Sequence, residues 1–420
     1  MNEWGKFFEL PLEFVIKEYE NNIKPYLCID GDLDTSHIVK LHDMGYLPLA
    51  IYALPEGSKV NIGVPSLVIY NTEPEFFWLV NYIETSLSSY LWQMCTNATT
   101  AYEFRKLLDF YAEKTSSNPS FVDFQCHDFS FRGMGSHVSA INSGMAHLLS
   151  FLGTDTLLSI KYANKFYPYG EFQAYSVPAT EHSVMSAHGK DNELQTFKRL
   201  ITETYPKGIV SIVSDTWDFW NVITNIAVEL KDIILNRDGK VVFRPDSGNP
   251  ADILCGKDDS KGAVEILWDI FGGTINDKGY KELDPHVGII YGDSITLELC
   301  EEICKRLDAK CFASTNVVFG VGSYTYQYVT RDTDGYAIKA TYCEVNGEPR
   351  NIFKDPITDN GIKKSAKGIL SVHEVDGEFI LEQESTFEKL HNSAMRLVFK
   401  NGKVYNMENF NKVRNRLLNR

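Results

Sequence analysis

Four short segments share one form and decide the predicted fold: GIVSIVSD (208–215), KVVFRPDSG (240–248), VGIIYGDS (287–294) and NVVFGVGS (316–323). Each is a continuous run rich in Val, Ile and Phe that ends in charged, small or glycine residues. Continuous apolar character is typical of a strand that is buried on both faces, as the strands of a parallel sheet are. The segments therefore predict parallel strands in the middle of the chain.

The stretches between these segments have the spacing of helices. An apolar face that repeats every three or four residues predicts one helix over 217–235, formed by Phe219, Ile223, Ile226, Leu230 and Ile233. Similar spacing predicts helices around 263–271 and 299–307, and a polar, glycine-containing insertion lies at 272–284. Parallel strands joined by helical crossovers form either a doubly wound sheet or a barrel, and the spacing alone leaves both open.

The two ends of the chain have other patterns. After residue 335, short alternating runs flank turn pairs such as Asn346-Gly347 and Asn401-Gly402, which is typical of antiparallel hairpins. Residues 74–114 have long helical periodicity. We therefore predict an α/β catalytic domain over 126–334, and a flanking α+β domain built from 1–125 and 335–420.

Composition excludes several classes of protein. Lys and Arg total 41 and Asp and Glu total 56, so the net charge is 41 − 56 = −15. This argues against a protein whose main partner is nucleic acid or an anionic membrane. No apolar run is long enough to span a bilayer, and the start lacks the pattern of a secretory signal. The eight cysteines include no C-x-x-C pair, which favours reduced thiols in a cytoplasmic protein over a zinc site.

Polar residues recur where the predicted strands end. In a barrel or a doubly wound sheet, ligands bind at the carboxyl ends of the strands, and those ends carry Asp215, Arg244, Asp246, Asp293 and Gly322. The carboxylates are ligands that Mg²⁺ accepts beside a diphosphate. A glycine-rich strand end followed by cations is suited to phosphate, although a tight turn and a solvated basic edge explain the same residues. Those cations are Arg331, Lys339, Lys354, Lys363, Lys364 and Lys367.

Ten motifs, taken together, resemble the nicotinamide phosphoribosyltransferases, a family of type II phosphoribosyltransferases. They occur in the family's order: HDFSFRG (127–133), GTD (153–155), VPATEHS (177–183), GKD (189–191), VSD (213–215), RPDSGNP (244–250), GD (292–293), FGVG (319–322), TRD (330–332) and IFKDP (352–356). The resemblance implies an irregular α/β barrel with the flanking α+β domain, and an obligate homodimer that shares its active site between subunits. It also implies the reaction of nicotinamide with phosphoribosyl pyrophosphate, which gives nicotinamide mononucleotide and diphosphate.

The resemblance implies a role for each matching residue. Phe129 would stack on the pyridine ring, Asp155 would accept a hydrogen bond from the carboxamide, and Arg132 and Arg244 would flank the base and the diphosphate. Asp215 and Asp246 would bind ribose hydroxyls and Mg²⁺. His182 matches a histidine that is phosphorylated when ATP is used as a coupled co-substrate. The remaining positions would line the ribose (Gly292, Asp293) or gather the phosphates (Gly322, Arg331, Lys339, Lys354, Lys363).

Three alternatives remain at this stage. A nicotinate phosphoribosyltransferase has the same chemistry with the opposite base preference, and the carboxylate of Asp155 argues against it because it would repel nicotinate. A non-catalytic barrel that binds a phosphorylated metabolite is the second alternative, since Ser323 and Tyr324 stand where the family has further glycines. A metal-dependent hydrolase is the third, and the chain lacks the clustered histidines that such sites generally use.

Overall fold

The structure, a computed structural model, describes residues 2–257, 259–292, 294–354 and 365–419. Its helices are α1 (Asn2–Glu9), α2 (Leu12–Tyr26), α3 (Ser36–Met44), α4 (Leu79–Thr115), α5 (His137–Leu148), α6 (Leu157–Phe166), α7 (His182–Ser186), α8 (Glu193–Arg199), α9 (Phe219–Asn221), α10 (Ala227–Glu229), α11 (Lys231–Leu235), α12 (Pro250–Cys255), α13 (Ala263–Phe271), α14 (Leu297–Ala309), α15 (Ser323–Tyr326), α16 (Phe387–His391) and α17 (Phe410–Leu418). Its strands are β1 (Leu49–Ala53), β2 (Leu67–Asn71), β3 (Cys126–Asp128), β4 (Gly153–Thr154), β5 (Val210–Val213), β6 (Val241–Arg244), β7 (Gly273–Ile275), β8 (Lys281–Leu283), β9 (Val287–Tyr291), β10 (Val317–Val321), β11 (Tyr342–Val345), β12 (Glu348–Asn351), β13 (Ser371–Val375), β14 (Glu378–Glu382), β15 (Arg396–Lys400) and β16 (Lys403–Val404).

The chain divides into two compact units. The first comprises residues 1–91 and 334–408, and the second comprises 92–333 and 409–420. This division differs from the predicted ranges, because residues 92–125 and 409–420 belong with the central segment. The physical reason is burial: the C-terminal half of α4 places Ala101, Phe104 and Leu108 in the main hydrophobic core of the second unit.

Six parallel strands form the sheet of the second unit, in the order β4-β3-β10-β9-β6-β5. Four of them are the predicted strands, and every residue of β5 and β9 is buried. Burial of both faces is why these strands read as continuous apolar runs. Strands β3 and β4 were not predicted, because with three and two residues they are too short to show a pattern in the sequence.

An extended segment, residues 175–180, pairs with both edge strands of this sheet, β4 and β5. Tyr175 donates its backbone N–H to Leu152 and accepts from Thr154, next to β4. Farther along the segment, Thr180 and Pro178 pair with Ser211 of β5. The six strands and this segment therefore form a closed, irregular α/β barrel, which confirms the predicted fold class.

The predicted helices of this unit are present, with one difference in form. Helices α13 and α14 cover the predicted stretches and bury Leu267, Ile303 and Leu307 in the core. The helix predicted over 217–235 is broken into α9, a π-helical turn at Val222–Ile226, α10 and α11. The insertion at 272–284 contains the antiparallel hairpin β7–β8.

The first unit contains a sheet to which both ends of the chain contribute, in the order β16-β15-β1-β2. Strand β1 pairs antiparallel with β15, so the predicted α+β domain does draw on both ends. The predicted hairpins are also present. In the turn between β11 and β12, Asn346 and Gly347 both have positive φ (56° and 81°), as a type I′ turn requires.

Two further expectations from composition can be compared with the structure. Although α4 has 37 residues, none of the described helices is both long and apolar enough to cross a membrane. All eight cysteines are free, and Cys300 and Cys304 are buried one turn apart on α14. Cys311 lies two residues beyond that helix, which ends at Ala309.

A buried ion cluster fastens α17 to the barrel unit. Asp123 Oδ1 accepts from Arg105 Nη1 at 2.5 Å and from Arg414 Nη2 at 3.1 Å. The side chains of the two arginines are only 3% and 8% exposed. We expect Asp123→Ala to lower the free energy of unfolding by about 3–5 kcal/mol, because it leaves two buried cations without their shared carboxylate.

Urea unfolding measures this loss, and Asp109→Ala is the matched control. Asp109 binds the same Arg105, but its side chain is 46% exposed. We expect a loss of about 1 kcal/mol or less for this exposed partner. Equal losses in the two variants would contradict the account.

Candidate active site

Most of the predicted site residues lie where the barrel strands end. Asp155 directly follows β4, Asp215 lies two residues beyond β5, and Gly292 follows β9. Arg244 is the last residue of β6, and Asp246 comes two residues later. Because the carboxyl ends of parallel strands meet at one end of a barrel, four strand ends and the short loops that follow them bring these residues together.

An aromatic platform lies at this end of the barrel. The ring of Phe129 packs against β10 at Gly320, where an added Cβ would lie 2.7 Å from Phe129 Cδ2. The guanidinium carbon of Arg244 lies 5.8 Å from the centroid of this ring, and the His127 ring lies 4.8 Å from it. An aromatic face beside a cation is suited to stacking against a flat heterocycle.

Asp155 is held by two donors from its own chain. Its Oδ1 atom accepts from His127 Nε2 at 2.8 Å and from Ser176 Oγ at 2.6 Å. Burial acts to raise the pKa of Asp155, but these hydrogen bonds and the charge of Arg244 outweigh it and lower that pKa. Asp155 is therefore an ionised hydrogen-bond acceptor at neutral pH.

Arg244 and Asp246 form the centre of the site. Arg244 is 6% exposed and donates from Nη2 to the carbonyl of Thr180 at 2.8 Å, and its Nε atom lies 3.6 Å from Asp246 Oδ1. Gly292 touches this pair, since a Cβ added there would lie 1.8 Å from Asp246 Oδ1 and 3.4 Å from Arg244 Cδ. A glycine is needed at this position so that the carboxylate of Asp246 can keep its place.

That close approach predicts the effect of Gly292→Ala. The added methyl group displaces the end of a flexible side chain, so we expect a small effect on stability. The displaced carboxylate is expected to lower kcat/KM by about a hundredfold, the cost of misplacing a reacting group by roughly 1 Å. Steady-state rates and thermal unfolding test this together, and a variant with full activity would contradict the assigned contact.

Asp215 organises the loop after β5. Its Oδ2 atom accepts from the backbone N–H of Asp246 at 2.9 Å and from Ser247 Oγ at 2.6 Å, and its Oδ1 atom lies 3.1 Å from His182 Nε2. Burial acts to raise the pKa of Asp215, but these three contacts outweigh it and lower that pKa. The side chain of His182 is 47% exposed, so the ring is both oriented by Asp215 and accessible.

The lowered pKa of Asp215 predicts a pH dependence of stability. A carboxylate whose pKa is lower in the folded state stabilises the fold above its ordinary pKa of about 4, and this stabilisation is lost as pH falls through the folded value. We expect Asp215→Asn to lower the unfolding free energy at pH 7 and to flatten its decline below about pH 4. Urea unfolding at several pH values tests this, and an identical decline in both proteins would contradict it.

The carboxylates of Asp215 and Asp246 supply only part of the coordination shell that a Mg²⁺ ion needs. Among the described residues, no group of three or more His, Cys, Asp or Glu side chains is arranged to hold a metal. Magnesium in phosphate-transferring sites takes one or two carboxylates and completes its shell with substrate phosphates and water. Asp246 suits that role best, because both oxygens of Asp215 already accept hydrogen bonds from the protein.

The residues predicted to bind phosphate are divided between the two compact units. Gly322 lies between β10 and α15, as predicted, and Ser323 packs closely on Gly133. The side chain of Arg331 is 55% exposed and lies 3.5 Å from Asp332, and Arg132 is exposed. Lys339 and Lys354 belong to the other compact unit, as the predicted flanking domain 335–420 has it, and their phosphate contacts stay a prediction. Asp293 and Lys363 lie outside the described residues.

A buried link connects α15 to β4 beneath the site. His147 Nε2 lies 3.0 Å from the carbonyl oxygen of Gly153, and Nδ1 lies 2.7 Å from the Tyr326 hydroxyl. A carbonyl oxygen can only accept, so Nε2 donates and the neutral ring accepts from Tyr326 at Nδ1. Burial, the largest effect on this group, lowers the pKa of His147 and keeps the ring neutral. The link fixes the loop of Gly322 relative to Asp155.

Sequence reasoning missed several residues that hold the site together. His127, Ser176, Thr180 and Ser247 all contact the predicted residues. The signal for three of them was their position within matching motifs, since His127 begins HDFSFRG, Thr180 lies in VPATEHS and Ser247 lies in RPDSGNP. Ser176 directly precedes a motif and carried no signal of its own.

Comparisons with known proteins agree with this fold. Residues 124–403 match the model of the nicotinate phosphoribosyltransferase (NAPRTase) family. The chain is 50% identical to a nicotinamide phosphoribosyltransferase from Acinetobacter baylyi, over 99% of this chain and 85% of that protein. It is 42% identical to a nicotinamide phosphoribosyltransferase from Mycoplasma pneumoniae, over 77% of this chain and 71% of that protein.

A solved structure supports the fold independently. It is the crystal structure of a nicotinate-nucleotide pyrophosphorylase from Pyrococcus furiosus, which matches with a TM-score of 0.54 and covers 92% of this chain and 83% of its own. At 17% sequence identity, this likeness concerns the fold alone.

Proposed function

The chain belongs to the nicotinate phosphoribosyltransferase family, and we propose that it transfers the phosphoribosyl group of phosphoribosyl pyrophosphate to nicotinamide. The products are nicotinamide mononucleotide and diphosphate, so the reaction salvages nicotinamide for NAD synthesis. The observation that carries the proposal is the ionised acceptor Asp155 beside the aromatic platform of Phe129. The relatives named nicotinamide phosphoribosyltransferase support the same assignment.

Asp155 favours the amide over the acid. The carboxamide of nicotinamide is neutral and donates N–H groups, whereas nicotinate carries a carboxylate at the same position. Two negative charges about 4 Å apart repel by about 1–4 kcal/mol, depending on the local dielectric. Because 1.4 kcal/mol is a factor of about ten, nicotinate is disfavoured by roughly tenfold or more.

The residues around Arg244 and Asp246 suit the chemistry of the ribose. The pyridine nitrogen attacks C1 of the ribose, the C1–oxygen bond to diphosphate breaks, and diphosphate leaves with the bonding electrons. Positive charge develops on the sugar, where the carboxylate of Asp246 stabilises it. Arg244 lies between Phe129 and Asp246 and neutralises charge on the leaving diphosphate. No protein nucleophile attacks the ribose.

We assign Mg²⁺ to Asp246, with Asp215 as the supporting carboxylate. A bound Mg²⁺ supplies positive charge that stabilises the leaving diphosphate. Asp215 receives the backbone N–H of Asp246, so its main task is to hold the loop that carries Asp246.

Stimulation by ATP through phosphorylation of His182 is also part of the proposal. The exposed ring of His182 and its contact with Asp215 support this assignment. The homodimer with a shared active site, the phosphate contacts of Arg331, Lys339 and Lys354, and a cytoplasmic location stay predictions from the sequence.

The experiment that tests the proposal measures mononucleotide formation by the purified protein. Phosphoribosyl pyrophosphate and Mg²⁺ are supplied with either nicotinamide or nicotinate. We expect higher kcat/KM for nicotinamide, by about tenfold or more. Faster turnover of nicotinate would assign the opposite base preference, and no product from either base would favour the non-catalytic alternative.

A further inference from the structure

Asp155 uses its two carboxylate oxygens differently. Both of its side-chain donors, His127 Nε2 and Ser176 Oγ, contact the same atom, Oδ1. Within the described part of the chain, no donor is within hydrogen-bonding distance of Oδ2, and the side chain is 44% exposed. Oδ2 is therefore the oxygen that remains available to accept from a bound ligand.

The His127 ring has little freedom to leave this contact. On one side it lies 4.8 Å from the ring of Phe129. On the other side it packs against Gly153, where an added Cβ would lie 2.7 Å from Nδ1. Only 13% of the His127 side chain is exposed. The ring is thus confined between the aromatic platform and β4, with Nε2 directed at Asp155.

These two donors affect whether a ligand that carries a carboxylate of its own can bind beside Asp155. Two carboxylates at close range avoid repulsion when they share one proton, as the paired aspartates of some proteases do. Nicotinate could bind in this way if Asp155 took up a proton and donated it to the ligand. Donors that bind the charged form of Asp155 oppose that protonation. The charge of Arg244 opposes it as well.

We infer that His127 and Ser176 are specificity-determining residues, which hold Asp155 as an ionised acceptor so that only a neutral carboxamide can pair with Oδ2. They act through Asp155 and are positioning residues. The inference rests on the proposed function, because it names the residues that give the proposed transferase its preference for nicotinamide. Base preference would then depend on three side chains: His127 of β3, Asp155 of the loop after β4, and Ser176 of the extended segment that joins β4 to β5.

Matched variants of both residues test the inference. His127→Leu and Ser176→Ala remove the donors, whereas His127→Gln and Ser176→Thr retain an N–H or O–H donor. For each protein, kcat/KM is measured with nicotinamide and with nicotinate, and the ratio of the two is compared with that of the parent. Ser176 is exposed, so its variants address the question even if a variant of the confined His127 fails to fold.

We expect the donor-free variants to shift the ratio of the two kcat/KM values toward nicotinate by about tenfold, because a change of about one unit in the pKa of the Asp155 carboxyl corresponds to a factor of ten. The donor-retaining variants are expected to keep the ratio of the parent. If Ser176→Ala lowers both activities equally and leaves the ratio unchanged, the inference is wrong while the proposed function stands. If the parent itself prefers nicotinate, the proposed function is what fails.

Discussion

Replacing Asp246 with alanine is expected to lower kcat/KM for nicotinamide by about 100- to 1000-fold, the usual cost of removing one group that stabilises charge in a transition state. The carboxylate lies at the centre of the site, 3.6 Å from Arg244 Nε and against the backbone of Gly292. The variant loses the charge that we propose stabilises the cationic sugar, and with it the carboxylate that we propose binds Mg²⁺. Steady-state kinetics with saturating Mg²⁺ measure the loss.

Two further variants make this result specific. Asp246→Asn keeps the shape of the side chain without its charge, so it is expected to lose nearly as much activity. Asp238→Ala removes an exposed carboxylate of the same unit, which is paired only loosely with Lys207 at 3.7 Å, and is expected to keep full activity. Full activity in Asp246→Asn would show that the charge is not used.

Replacing Asp155 with serine is expected to admit nicotinate. The change removes the negative charge that repels the nicotinate carboxylate, and it leaves a hydroxyl that can donate to the acid. We expect kcat/KM for nicotinate to rise relative to nicotinamide by about tenfold or more. Competition between the two bases in one reaction, with the products separated and quantified, measures this ratio directly.

The interpretation of Asp155→Ser depends on the amide contact as well as on charge. Asp155→Asn keeps an acceptor oxygen and can also donate to a carboxylate, so it is expected to use both bases. The KM for nicotinamide should rise in the serine variant, because its amide loses the acceptor. Unchanged base selectivity in both variants would count against the role assigned to Asp155.

The central strands were predictable because nearly all of their residues are buried. Strands β5 and β9 are buried throughout, and β6 and β10 each have a single half-buried residue, which produces the continuous apolar runs in the sequence. Strand β4 has only two residues, and the closing segment 175–180 is held largely through its backbone. Backbone pairing leaves little pattern in the sequence, so closure of the barrel became apparent only from the structure.

Site residues that lie within sequence motifs could be predicted. Contacts between residues that are far apart in the sequence could not. Phe129, Asp155 and Asp246 were named from motifs, and the structure places them just after β3, β4 and β6. The donor Ser176 is 21 residues from Asp155 in the sequence, and His127 is 28 residues away, so neither contact follows from local spacing. The cations predicted to bind phosphate divide between the two compact units, with Arg331 in the barrel unit and Lys339 and Lys354 in the other, and their roles stay predictions.

A crystal structure with nicotinamide mononucleotide bound tests the central claim most directly, because this one product contains both the base and the phosphorylated ribose. The account predicts the pyridine ring on Phe129, the carboxamide nitrogen within hydrogen-bonding distance of Asp155 Oδ2, and the ribose beside Asp246 and Gly292. A mononucleotide bound away from these strand ends, or with its amide remote from Asp155, would contradict it.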